Sequence, residues 1–125
     1  MGASGVEKGG ERTLAYYIAH EVTHAMTTDR VGRVGTYRLA AFQREGYADY
    51  VAFTRPMDLV VARRDLLAGS KDMDPLGSGH YDRYRLLVGF LLAERHLSVA
   101  ELLRGPLDRE TVEAELRAAT LSARD

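Results

Sequence analysis

The sequence predicts a mainly α domain of four to six helices with little or no β-sheet. Three observations carry that prediction. Apolar residues recur at spacings of three and four in several segments, as one side of a helix requires. No run of four or more residues alternates apolar with polar and is enriched in β-branched side chains. Helix caps and breakers (Pro56, Ser98, Gly105-Pro106, Asp108) divide the periodic stretches from one another.

Residues 1–11 are rich in Gly and read as a flexible lead-in, and residues 12–125 as one helical domain. From Arg12, Leu14, Tyr17/Ile18, Glu21/Val22 and Ala25/Met26 fall along one side of a first helix. That helix is expected to fade at Thr27-Thr28-Asp29, with Gly32 and Gly35 punctuating a loop. A second helix is expected from Thr36 to Phe53, with Leu39, Phe42, Gly46, Phe53, Ala41, Ala48 and Ala52 as its contact face. Pro56 ends it, because a residue before proline avoids helical geometry. Met57 to Leu67 predicts a short third helix, and Gly69 to Gly79 a loop.

Tyr81 to Arg95 is the most apolar helix, built on Tyr84, Leu87, Val88, Leu91 and Leu92. Ser98 caps a short helix ending near Arg104, with Glu101 completing a capping box. Asp108 caps a last helix that turns Val112, Leu116 and Leu121 inward.

Composition excludes several classes of function. The chain has 125 residues, 17 Lys+Arg against 18 Asp+Glu, and no Cys. A net charge of −1 supplies no excess of cations for phosphate, so neither nucleic acid nor an anionic membrane surface is the expected partner. Without Cys there is no disulfide, thiolate zinc site, iron–sulfur cluster or cysteine nucleophile. A metal would have to be held by His and carboxylate. The apolar run Leu86 to Ala93 is far short of the about 20 residues of a membrane span. With no signal-peptide pattern near the start, a cytoplasmic protein is expected.

The chemistry concentrates in His20-Glu21-Val22-Thr23-His24. On a helix, positions i and i+4 lie about 40° apart around the axis, so both imidazoles reach one ion. Glu21 falls on the same side and stands beside such an ion as a base rather than a ligand. The second signal is Glu45-Gly46-Tyr47-Ala48-Asp49, separated from His24 by 20 residues. Two carboxylates at i and i+4 repel each other, and both sit near an apolar side. Either they form a solvated acidic edge, or each has a partner: a metal for Glu45 and a histidine N–H for Asp49. Gly46 is either a point of close approach between the two site helices or a tolerated surface glycine.

These two motifs resemble those of the gluzincin metallopeptidases, in which HExxH and a downstream glutamate hold zinc. The ExxxD spacing of Glu45 and Asp49 is similar to the thermolysin-like pattern, where the Asp supports a zinc-binding His. The tract Tyr81-Asp82-Arg83-Tyr84 through His96, followed by Glu101-Leu102-Leu103, resembles the later helices of peptidase-MA-like proteins. The resemblance implies the helical part of a zincin domain, Zn²⁺ held by His20, His24 and Glu45, and hydrolysis of a peptide or protein substrate. It implies Glu21 as general base, Asp49 as the support of His20, and Tyr81 as a residue facing the zinc and its oxyanion. Gluzincin domains carry a β-sheet ahead of the HExxH helix, whereas the 19 residues before His20 do not read as strands. The expectation is a fragment, or a reduced member, or a domain whose missing strand a partner segment supplies, with a homo-oligomer as the alternative assembly.

The rival expectation is a catalytically inert zinc-binding helical module for interaction or oligomerisation. A His₂-carboxylate set also suits iron. His80 reads as solvated, His96 as a helix-terminal histidine, and Arg83 and Arg85 as a solvated face. Met26, Met57 and Met73 read as filler or surface.

Overall fold

A computed structural model describes residues 13–53, 58–70, 73 and 80–124. The expected lead-in over 1–11 lies outside them, as do Met57 and most of the 69–79 loop. Six α-helices and one π-helical turn make up the regular structure, and no strand occurs among the described residues. The mainly helical prediction is borne out.

The first helix, α1 (Leu14–Arg38), is capped by Thr13, whose hydroxyl accepts from the Tyr16 N–H. It runs beyond the expected end at Thr27-Thr28-Asp29. Thr23 and Thr27 point inward and donate their hydroxyls to the carbonyls of Ala19 and Thr23, so these β-branched residues are satisfied inside the helix. The break falls at Gly32, at φ +80°, where a side chain would be strained; helical turns then continue to Arg38. The expected start at Thr36 is therefore corrected: α2 (Ala41–Ala52) begins five residues later, after extended Leu39 and Ala40.

Gln43 sets that start. Its Oε1 accepts from the Ala40 and Leu107 N–H groups at 2.9 and 3.0 Å. Its Nε2 donates to the carbonyls of Leu102 and Gly105 at 2.8 and 2.9 Å. A fully buried amide thus ties the α2 N-terminus to the loop after the short helix α5 (Val99–Leu102).

The helix α3 (Leu59–Leu67) is capped by Asp58, and it ends in a Schellman motif with Gly69 at φ +70° and Ser70 N–H bonded to the Asp65 carbonyl. The helix α4 (His80–Gly89) continues into the π-helical turn Phe90–Glu94. Leu86, Leu87, Val88 and Phe90 are all fully buried, so this segment is covered nearly all round. The Ser98–Glu101 capping box forms as expected, at 3.1 and 3.0 Å. In α6 (Arg109–Arg124), Val112 and Leu116 face the core; the Leu121 side chain lies outside the described residues.

Helix α2 packs on α1 and on α4, and α3 and α6 both pack against α4. The main core lies around α4 and takes in Phe42, Leu66, Leu87, Phe90, Leu102 and Leu116. Gly46 lets α2 and α4 approach closely, since a Cβ there would stand 2.5 Å from the Tyr84 carbonyl oxygen. The close approach expected between the two site helices is therefore made instead between α2 and α4.

The apolar side of α1 faces outward. Leu14, Tyr17, Ile18, Val22 and Met26 are exposed, while Tyr16, His20, Thr23 and Thr27 are buried. The helix meets its neighbour through polar groups. The pairing is selective, because each buried polar group needs its own partner.

Candidate metal centre

His20 and His24 occupy successive turns of α1, and Glu45 and Asp49 successive turns of α2. The helices bring them together. His20 Nε2 and His24 Nε2 are 3.0 Å apart, and Glu45 Oε1 lies 3.1 Å from the first and 2.8 Å from the second. These three form the cluster of metal-ligating type found among the described residues. His20 is buried, and His24 and Glu45 are half-buried.

On the far side of His20, Nδ1 lies 2.7 Å from Oδ1 of Asp49, which is fully buried. The acidic-edge alternative is therefore excluded for Asp49. A carboxylate accepts only, so Nδ1 carries the proton. In a neutral His20, Nε2 then presents a lone pair toward a carboxylate oxygen and a second imidazole nitrogen. His24 has one Nε2 proton at most to share between two acceptors. Three electron-rich atoms this close suit a shared cation, either a proton or a metal.

The donor set fits zinc. A tetrahedral ion with bonds of about 2.0–2.1 Å has ligand–ligand edges of about 3.3 Å, slightly wider than the observed triangle. Two imidazoles and one carboxylate are the three ligands of this cluster found among the described residues, and a tetrahedral ion takes four. The supporting carboxylate on the remote nitrogen of His20 is a common companion of such ligands.

Glu21 follows His20 on α1; it is exposed and enters none of the hydrogen bonds of the cluster. Tyr81 stands in the first turn of α4, and its side chain and that of His80 lie outside the described residues. His96 is exposed and takes φ +57°, the left-handed position that closes a helix.

The expected solvated face of Arg83 and Arg85 is corrected. Arg83 pairs with buried Glu113 at 2.5 Å, joining α4 to α6. Arg85 is buried, with its guanidinium 4.3 Å from the centroid of the Phe53 ring. Burial lowers its pKa, opposed by the nearby charges of Asp82 and Asp49. Tyr16 also goes unnoticed in a sequence reading. It lies one turn before His20, and its hydroxyl donates to the same Oδ1 of Asp49. Its i, i+4 spacing from His20 is the signal that could have found it.

An open groove of about 520 Å³ runs beside α1, lined by Val22, Met26, Thr27, Tyr47, Val51 and Leu103 among others. None of the three donors lines it. Comparison with protein-family models, curated proteins and solved structures finds no match to this chain. No helix among the described residues is long and apolar enough to cross a membrane.

Proposed function

We propose that this chain is a zinc-dependent peptidase domain of the HExxH type. The observation that carries the reading is the convergence of His20 Nε2, His24 Nε2 and Glu45 Oε1 within 3.1 Å of one another, with Asp49 bonded behind His20. These three atoms would hold the metal. Zinc there supplies a Lewis acid and lowers the pKa of a water to about 7.

The protein's own residues do the rest. Asp49 keeps the proton of His20 on Nδ1, so that Nε2 offers its lone pair. Glu21, exposed and next to His20 in the chain, would take a proton from the attacking water and return it to the leaving amine of the substrate. Tyr81, at the start of α4, is the residue that the resemblance to gluzincins would assign to the oxyanion.

Substitution tests this. Glu21→Gln is expected to keep one zinc per chain and lose peptide hydrolysis, whereas His20→Ala loses the metal. Full activity in Glu21→Gln would sink the assignment of the base.

A second reading has its own support. The exposed side of α1, with Leu14, Ile18, Val22 and Met26, suits a zinc-binding module that associates through this face without turnover. A monomer that cleaves peptides supports the enzyme. A zinc-loaded oligomer without activity supports the module.

A further inference from the structure

We propose that Tyr16 is a positioning residue of the metal centre, acting through Asp49 on His20. The inference rests on the metal-binding reading above, and goes beyond it by assigning a residue outside both motifs.

Tyr16 is buried, and its ring is seated before its hydroxyl is considered. It lies 4.6 Å from the Phe53 ring and edge-on to Tyr17 at 5.0 Å. The same Phe53 ring takes the guanidinium of Arg85. The hydroxyl donates to Oδ1 of Asp49 and stands 3.4 Å from His20 Nδ1. One carboxylate oxygen therefore accepts from both the phenol and the imidazole.

A carboxylate held by a single hydrogen bond can turn about its χ2, and the imidazole turns with it. A second donor on the same oxygen, mounted on a packed ring, fixes the carboxylate's position. Asp49 sits on α2, while Tyr16 and His20 both come from α1, so the phenol anchors the Asp to the helix that carries the ligand. The aim of His20 Nε2 at His24 and Glu45 follows from that anchor. Arg85 contributes a buried positive charge near Asp49.

Tyr16→Phe removes the hydroxyl and keeps the ring, which separates positioning from packing. The test is zinc affinity by competition with a chromophoric chelator, with the visible spectrum of the Co²⁺ form as second readout. Tyr16→Phe is expected to bind zinc about tenfold more weakly and to alter the Co²⁺ bands while its circular dichroism is unchanged. In an Asp49→Asn background the same change is expected to have no further effect, because its route is gone. An affinity loss under roughly fivefold in Tyr16→Phe overturns the proposal, the scale being set by supporting groups of this kind. So does an equal loss in both backgrounds.

Parent protein that binds no zinc removes the metal reading itself, and this inference with it; parent that binds zinc as tightly as Tyr16→Phe removes this inference alone. Should Tyr16→Phe fail to fold, NMR of the unaltered protein decides. A slowly exchanging hydroxyl proton close to the His20 ring supports the proposal, and a freely exchanging one overturns it.

Discussion

His20 Nδ1 and Asp49 Oδ1 stand 2.7 Å apart in a buried contact between residues 29 positions apart in the chain. It joins α1 to α2 and decides which imidazole nitrogen is left for other work. Asp49→Asn offers an N–H or a weaker neutral acceptor in place of the carboxylate. Zinc affinity is expected to fall about 10- to 100-fold. Isothermal titration or chelator competition measures it, and an unchanged affinity would separate Asp49 from the site.

Metal binding is expected to raise the unfolding temperature. Any ligand that binds only the folded state stabilises it, by about 2.7 kcal/mol at a hundred times its dissociation constant. The cluster exists only when α1 and α2 are docked, since Glu45 comes from the second helix. Scanning calorimetry should show a rise with zinc, reversal with a chelator, and no rise in Glu45→Gln. A shift of equal size in Glu45→Gln would point to binding elsewhere.

Gly46→Ala is expected to destabilise the fold although alanine favours a helix by about 1 kcal/mol. The added methyl would lie 2.5 Å from the Tyr84 carbonyl oxygen and 2.8 Å from Val88 Cγ2. Forcing apart two packed helices typically costs about 1–3 kcal/mol. Urea unfolding should therefore give a net loss of up to about 2 kcal/mol. A stabilised variant would mean that α2 and α4 are not in this register.

Gln43→Leu removes four hydrogen bonds from one buried side chain. The Leu102 and Gly105 carbonyls and the Ala40 and Leu107 N–H groups each lose a partner. With unsatisfied buried groups worth about 1–3 kcal/mol apiece, and some regaining water, a loss of about 3 kcal/mol is expected. Ala41→Ser, on the exposed side, serves as the control and should stay within about 0.5 kcal/mol. Equal midpoints for the two variants would contradict the role given to Gln43.

What was local in the sequence could be read from it. The Ser98–Glu101 capping box, the cap at Asp108, the inward Val112 and Leu116, and the core positions Tyr84, Leu87, Val88 and Leu91 all follow from neighbours within a few residues. The pairing of His20 with His24 is likewise a property of helical geometry, and Gly32 was correctly a break, though not the centre of a loop.

Periodicity alone did not reveal which side of α1 meets the protein. The apolar side with Leu14, Ile18, Val22 and Met26 is left outside, and Tyr16, His20, Thr23 and Thr27 go in. Hydrophobicity sets the amphipathic pattern of a helix, but a polar face can be buried when another element supplies its partners. Here α2 supplies Glu45 and Asp49, which the two motifs pair with the α1 histidines but which lie too far along the chain for periodicity to show the contact. Arg85 is buried for the same reason: Phe53 and the charge of Asp49, both from the end of α2, reach it only once α2 and α4 have packed. The residue types and their helical register belong to the sequence. Which of them face one another, and so which can share a proton or a cation, was decided by the docking of α1, α2 and α4, because those contacts span distances along the chain over which local propensity carries no information.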